Sequence, residues 1–213
     1  MLKDVREETT NKEMEPTNHL FLEYLARYYF TLPLSKGRVL EIGCGSGYGT
    51  KLVAKAKKKI ITEIIGIDFN EEMINEAHKT QYHPLLSFQF IEDTNEESFK
   101  SLGTFDTIFS FDLFGQLPNP QEFLLSVFQL LNPGGTLILT VALESREVST
   151  EKPLHPYTLT ESELIGFLHH EKLIFHNVDF YYQHGVVIEG KKGPANQNTN
   201  CIIVARKDLE VSL

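Results

Sequence analysis

Within seven residues, the run Glu41-Ile42-Gly43-Cys44-Gly45-Ser46-Gly47 combines a carboxylate with glycines at every second position. Glycine accepts positive φ and lets a ligand approach the backbone where a Cβ would collide. A glycine-rich turn between a strand and a helix is therefore the expected cradle for a nucleotide-like ligand. The spacing narrows the choice. A dinucleotide loop reads G-x-G-x-x-G and seats a pyrophosphate on the helix N-terminus. Here the glycines run Gly43-x-Gly45-x-Gly47, and Glu41 stands just before them. An acid at that place repels phosphate and suits a cationic ligand. Asp68 closes the next apolar run, where a carboxylate can accept hydrogen bonds from ribose hydroxyls.

These residues need a scaffold, and the hydrophobic pattern supplies one. Residues 1 to 16 are polar, charged and aperiodic, which reads as a disordered tail ahead of a single domain over 17–213. Leu20, Phe21, Tyr24, Leu25 and Tyr28 fall at helical spacing, capped by Thr17 or Asn18 and stopped by Pro33. Strands are expected at Arg38 to Ile42, Glu63 to Asp68, Leu86 to Ile91, Phe105 to Phe111 and Thr136 to Val141. Helices are expected at Tyr48 to Lys57, after the Asn70 cap, and after Pro118-Asn119-Pro120. Thr160 and Glu163 form a capping-box pair with Leu159 and Leu164 as its hydrophobic staple, and that helix should run to about His170. Two late strands, Leu173 to Tyr182 and Asn200 to Arg206, have no helix between them and should pair antiparallel. The polar stretch Gly185 to Thr199 between them reads as an exposed loop. Alternating strands and helices predict an α/β, Rossmann-like doubly wound sheet, mostly parallel.

The motifs in this frame resemble those of the class I S-adenosylmethionine-dependent methyltransferases. Val39 to Gly47 looks like that family's first motif, and Ile65-Gly66-Ile67-Asp68-Phe69-Asn70-Glu71-Glu72-Met73 like its second. Phe90-Ile91-Glu92-Asp93-Thr94 resembles the third, Phe105 to Ser110 the fourth, and Leu130 to Leu137 the entry to strand five. The likeness spans about Leu20 to Arg206. It implies a seven-stranded sheet with an antiparallel last strand, and S-adenosylmethionine as the cofactor, whose sulfonium and ammonium suit Glu41. By resemblance, Glu41, Gly43, Cys44, Gly45 and Gly47 would line its methionine and sulfonium end. Asp68 would bind the ribose, Phe69 and Met73 would flank the adenine, and Asp93 with Thr94 would meet the adenine amino group. Ser110 and Phe111 would lie under the methionine moiety.

One stretch departs from the family. After strand four, where an acidic residue and a histidine are common, stand Gly115-Gln116. This leaves open a different acceptor, or a relative that binds the cofactor without catalysis. The segment Lys152 to Leu164 resembles one found in glycan- and small-metabolite-directed members. In it His155 titrates near neutral pH and could act as base, and Tyr157 could orient a hydroxyl; both are equally compatible with a surface loop. The patterns Asn-Pro-Pro-Tyr and Pro-Cys of nucleic-acid methylation are missing.

The formal net charge of −9 argues against nucleic-acid partners, which draw on clustered Lys and Arg. The basic run Lys55-Ala56-Lys57-Lys58-Lys59 reads instead as a counterweight to a helix dipole. No apolar run approaches membrane-spanning length and the start carries no signal-peptide pattern. Two cysteines in no metal-ligand spacing, Cys44 and Cys201, fit a reduced, cytoplasmic protein without a metal site. The expectation is a methyltransferase acting on an oxygen or nitrogen of a small molecule, with a homodimer compatible with this reading.

Overall fold

The computed structural model describes residues 18–93, 96–143, 159–190 and 200–209. The expected tail, Thr94, His155 and Tyr157 lie outside the described residues. Among those described, the strands are β1 Gly37–Ile42, β2 Ile61–Asp68, β3 Leu86–Phe90, β4 Phe105–Ser110, β5 Leu131–Ala142, β6 Phe175–His184, β7 Val187–Glu189 and β8 Asn200–Lys207. The helices are α1 His19–Thr31, α2 Tyr48–Lys57, α3 Glu71–Thr80, α4 Glu96–Lys100, α5 Pro120–Leu130 and α6 Glu161–Leu168. Helix α4 was not anticipated from the sequence.

All strands join one sheet in the order β3-β2-β1-β4-β5-β8-β6-β7. Strands β1 to β5 pair in parallel, and β8 lies antiparallel between β5 and β6. The chain winds outward from β1 in one direction and resumes at β4 in the other. The carboxyl ends of β1 and β4 thus flank the crevice where open α/β sheets bind ligands.

The sheet has one strand more than the seven expected. The Gly185–Thr199 stretch is a loop only in part, because Val187–Glu189 folds back on Tyr182–His184 as β7. Gly185, at φ 57°, supplies the positive φ that a two-residue hairpin turn needs at its first position, and the β-branched Val186-Val187-Ile188 favours the strand that follows. Smaller shifts accompany it. Strand β2 starts at Ile61 rather than Glu63, β6 runs two residues later than expected, and α6 ends at Leu168 before His170.

Period-two alternation divides the sheet residues between two layers. Leu40, Ile42, Ile65, Ile67, Ile108, Leu137 and Leu139 pack in the larger core with α5 and α6 residues such as Phe123, Leu124, Leu164 and Leu168. Val39, Ile64, Phe109, Phe111, Ile138, Ile202 and Val204 face the other way, against Tyr28 of α1 and Val53 and Ala54 of α2. Local signals stop and start the helices as read. Asn18, Asn70 and Asn119 cap α1, α3 and α5 through their side chains, and Thr160 with Glu163 closes a full capping box on α6. Lys55 and Lys57 sit in the last turn of α2, where the dipole favours them.

Helix α1 meets α2 at an unusually close point. A Cβ on Gly49 would fall inside the ring of Tyr28. Gly166, on α6, has nothing within 4 Å of where its Cβ would stand. Alanine gains about 1 kcal/mol over glycine in a helix interior, whereas overpacking costs about 1–3 kcal/mol. Gly166→Ala is therefore expected to raise the thermal midpoint and Gly49→Ala to lower it. Calorimetric melting of the two variants checks both signs.

Candidate functional site

The glycine loop is held by hydrogen bonds that bend it over the end of β2. The amides of Gly43 and Cys44 both donate to the Ile67 carbonyl, at 2.7 and 2.9 Å, and the Gly47 amide donates to the Cys44 carbonyl at 3.0 Å. Gly43, Gly45 and Gly47 all adopt positive φ, at 82°, 54° and 75°. Gly47 then serves as the N-cap residue of α2. Their reasons for being glycine differ. A Cβ at Gly47 would strike the Phe88 ring, while one at Gly45 would meet nothing within 4 Å. Gly45 thus faces open space, which suits a site where a ligand touches backbone.

Asp68 is 4% exposed. Its Oδ2 accepts from the Gly45 amide at 2.7 Å and its Oδ1 from the Asn70 amide at 3.0 Å. The carboxylate therefore fixes the loop to the end of β2.

Glu41 is 2% exposed. Strand alternation explains where it points: Val39 belongs to the α1–α2 layer, and Glu41 two residues on faces the same way. There its Oε1 accepts from the Tyr28 hydroxyl at 2.7 Å and its Oε2 from Thr50 Oγ1 at 2.5 Å. Burial first, and the neighbouring Glu41 carboxylate second, push the Tyr28 hydroxyl well above the ordinary phenol value. Tyr28 is thereby kept protonated, as a donor to Glu41.

A cleft opens beside the loop. One wall is Gly43, Cys44, Gly45, Ser46, Tyr48 and Gly49; the other is Phe21, Tyr24, Leu25 and Tyr28 of α1, with Phe111 from beyond β4. Of the residues singled out in the sequence, Gly43, Cys44, Gly45 and Phe111 line it. Glu41 lies one layer beneath, behind Tyr28. Ser110 is buried, its hydroxyl donating to the Ile42 carbonyl at 2.8 Å. Asp68 sits across the loop on the β2 side. Phe69 is half-buried against the larger core, and Met73 is half-buried on α3. Asp93 is exposed and accepts from Ser98 Oγ at 2.7 Å.

The contribution of α1 was missed in the sequence, where Phe21, Tyr24, Leu25 and Tyr28 read only as an apolar stripe. The available signal was the pair of tyrosines, since a buried phenol needs a polar partner. A second missed feature is the buried ion pair of Arg27 with Asp112. Burial alone would raise the Asp112 carboxyl; the Arg27 charge and hydrogen bond outweigh it and hold the group below its ordinary value. Thr140 Oγ1 adds a bond to Asp112 Oδ1 at 3.0 Å.

A family model described as a methyltransferase domain matches residues 12–184. The chain belongs to this methyltransferase-domain family. With membership comes S-adenosylmethionine as the family's cofactor, which the positive-φ loop, the open face of Gly45 and the Asp68 carboxylate fit. A ubiquinone biosynthesis O-methyltransferase of Xanthomonas campestris is 25% identical over 130 residues, covering 61% of this chain and 52% of that protein. A tRNA U34 carboxymethyltransferase of Idiomarina loihiensis is 31% identical over 128 residues, 58% of this chain and 39% of that protein. The chain thus spans about half the length, or less, of these curated relatives. Among solved structures, a methyltransferase from Haloferax volcanii in complex with the Trm112 activator superposes with a TM-score of 0.68 at 17% identity, over 98% of this chain and all of that one. That likeness concerns the fold.

Two outcomes follow for this methyltransferase domain. Gly45→Ala places a methyl group where a ligand would touch the loop, at a fold cost of about 1 kcal/mol for positive φ. Isothermal calorimetry is expected to show S-adenosylmethionine binding lost or severely weakened, with the melting temperature little changed. Asp112, lowered on folding, adds stability above its unfolded pKa of about 3.9 that is lost as pH falls through its folded value. The double variant Arg27→Met, Asp112→Asn should lack this component, so as the pH falls below about 4 its stability should drop less steeply than wild type in denaturant titrations.

Proposed function

We propose that this chain transfers the methyl group of S-adenosylmethionine to an oxygen or nitrogen of a small-molecule acceptor. The observation that carries the reading is the cleft itself: a positive-φ glycine loop open at Gly45, braced by Asp68, and walled on its far side by the aromatic face of α1. When bound, the cofactor supplies an activated methyl on a sulfonium. The chain's part is mainly to place donor and acceptor in line, and such positioning can supply on the order of 7–11 kcal/mol. Gly43, Cys44, Gly45 and Phe111 are assigned to the methionine and sulfonium end, with Glu41 acting through Tyr28. Asp68 is assigned to the ribose, and Phe69, Met73, Asp93 and Thr94 to the adenine side.

On the acceptor side we assign His155 as base and Tyr157 as the group that orients the acceptor. A base is needed only where the acceptor carries a proton in the ground state, as a hydroxyl does. The Gly115-Gln116 departure fits this division of labour. Both residues lie in a short 3₁₀ turn, Phe114–Gln116, and the Gln116 amide donates to the Asp112 carbonyl at 2.7 Å. That stretch supports the cleft and leaves acid–base work to other residues.

The protein is read as one domain over 17–213, working in the cytoplasm. No helix among the described residues is long and apolar enough to cross a membrane, and Cys44 and Cys201 are both buried in the fold, which suits a reducing compartment. A second reading, modification of a nucleic acid, is favoured by the likeness to a tRNA U34 carboxymethyltransferase and opposed by the net charge of −9.

Three measurements decide. Calorimetry with S-adenosylmethionine and with its demethylated product should give binding of both; no binding at millimolar concentration would end the proposal. Release of demethylated product should rise with a panel of hydroxyl- and amine-bearing metabolites and not with total tRNA. The opposite pattern moves the assignment to the second reading, and no turnover with either marks a binding protein that does not catalyse. If His155 is the base, His155→Ala should lower kcat by about 10²–10⁴-fold with cofactor affinity unchanged.

A further inference from the structure

Gln183, near the end of β6, is 1% exposed, and both ends of its side-chain amide are engaged. Its Oε1 accepts from Arg27 Nε at 2.6 Å. Its Nε2 donates to the Glu23 carbonyl at 3.0 Å and to the Gly185 carbonyl at 2.7 Å. These partners fix the amide's orientation. A guanidinium only donates and a carbonyl only accepts, so the oxygen must face Arg27 and the nitrogen the two carbonyls. One side chain thus joins helix α1, through Glu23 and Arg27, to the turn between β6 and β7, through Gly185.

Glu23 and Arg27 stand one helical turn apart on α1, so they share a face. Each directly precedes a residue of the cleft wall: Tyr24 follows Glu23, and Tyr28 follows Arg27. Phe21, Tyr24, Leu25 and Tyr28 recur at i, i+3, i+4 and i+7, which makes the cleft-facing stripe of α1 the neighbour of the gripped one. A roll or shift of the helix would move both stripes together. Other contacts tie α1 to the same hairpin. Phe30 meets Tyr181 edge-on with ring centres 4.9 Å apart, and Ile188 of β7 packs in the α1–α2 layer. Ile188 is also the strand partner of Gln183. Arg27 carries the connection onward to the turn after β4, where it pairs with Asp112 beside Phe111 of the cleft.

We propose that Gln183 is a positioning residue of the cofactor cleft: it pins α1 to the β6–β7 hairpin and so sets where the aromatic wall stands opposite the glycine loop. The inference rests on the assignment of this cleft to S-adenosylmethionine. Gln183 does not line the cleft and acts through helix α1. The hairpin that adds an eighth strand to the sheet thereby takes part in cofactor binding.

The test is calorimetric titration of S-adenosylmethionine into wild type, Gln183→Met and Lys207→Met, with melting temperatures recorded alongside. Lys207 is the matched control. It is buried as well, and its Nζ donates to two carbonyls, those of Phe128 and Leu131, at 2.9 and 2.8 Å. It stands at the other end of the β6–β8 pairing, where Lys207 lies opposite Phe175 and Gln183 opposite Asn200. Both substitutions should lower the melting temperature. Gln183→Met should weaken cofactor binding by about tenfold, the size of one charge-assisted hydrogen bond. Lys207→Met should bind within about twofold of wild type. Gln183→Glu keeps an oxygen for Arg27 and loses the donor to the two carbonyls, and it should also bind more weakly than wild type. Gln183→Met that binds within about twofold of wild type overturns the proposal. An equal loss of affinity in Lys207→Met overturns it too, because the effect would then be a general loosening of the fold. Should Gln183→Met fail to fold, Gln183→Glu decides by the same limit. Wild type that does not bind overturns the assignment of the cleft itself, and this proposal with it.

Discussion

A carboxylate withdrawn from water must be given hydrogen bonds in return, and this requirement organises the working end of the molecule. Glu41, Asp68 and Asp112 stand at or just beyond the carboxyl ends of three strands, and the side chain of each is buried. Each is answered from a different direction. Glu41 takes Tyr28 and Thr50, Asp68 takes the loop amides of Gly45 and Asn70, and Asp112 takes Arg27 and Thr140. The donors to Glu41 and Asp112 include two side chains of α1, Tyr28 and Arg27. Helix α1 is thereby bound to the sheet through polar contacts, and the cleft exists because α1 is held there.

The sheet order makes this economical. With β1 central and β2 and β4 on either side, three strand ends converge on one crevice, and the loop after β1 has room to open between them. The two core layers then have distinct duties. The layer with α5 and α6 carries most of the aliphatic packing. The layer with α1 and α2 is richer in aromatic residues near the loop, where Tyr28 meets Phe109 and Phe111 edge-on. Tyr28 is at once a core ring, a hydrogen-bond donor and part of the cleft wall. That combination requires Gly49, because any side chain there would occupy the ring's place.

The Gly115-Gln116 stretch shows how a departure from a family pattern can have a structural meaning before a functional one. Gly115 is buried, and Gln116 reaches back to the Asp112 carbonyl. The segment serves here to close the turn that holds Asp112. The charge of Asp112 itself is neutralised by Arg27.

Most of the elements, their order and the glycine loop were legible in the sequence, because those depend on local rules. Alternating apolar residues, asparagine caps, the Thr160–Glu163 capping box and glycine at alternate positions act within a few residues of chain, and the structure keeps them nearly as read. The α1 tyrosines were visible only as part of an apolar stripe, since helical spacing reports which face is buried and not what a hydroxyl will meet. Strand β7 was hidden because its three residues sit in a polar stretch, and its pairing is set by a glycine turn. Tertiary structure alone decided that Glu41 lies beneath the cleft rather than in it, that Asp112 finds Arg27 across 85 positions of sequence, and that α1 forms the far wall. The physical reason is common to all three: a buried charge takes its partner from whichever element the sheet brings within reach, and the sheet order is a property of the whole chain.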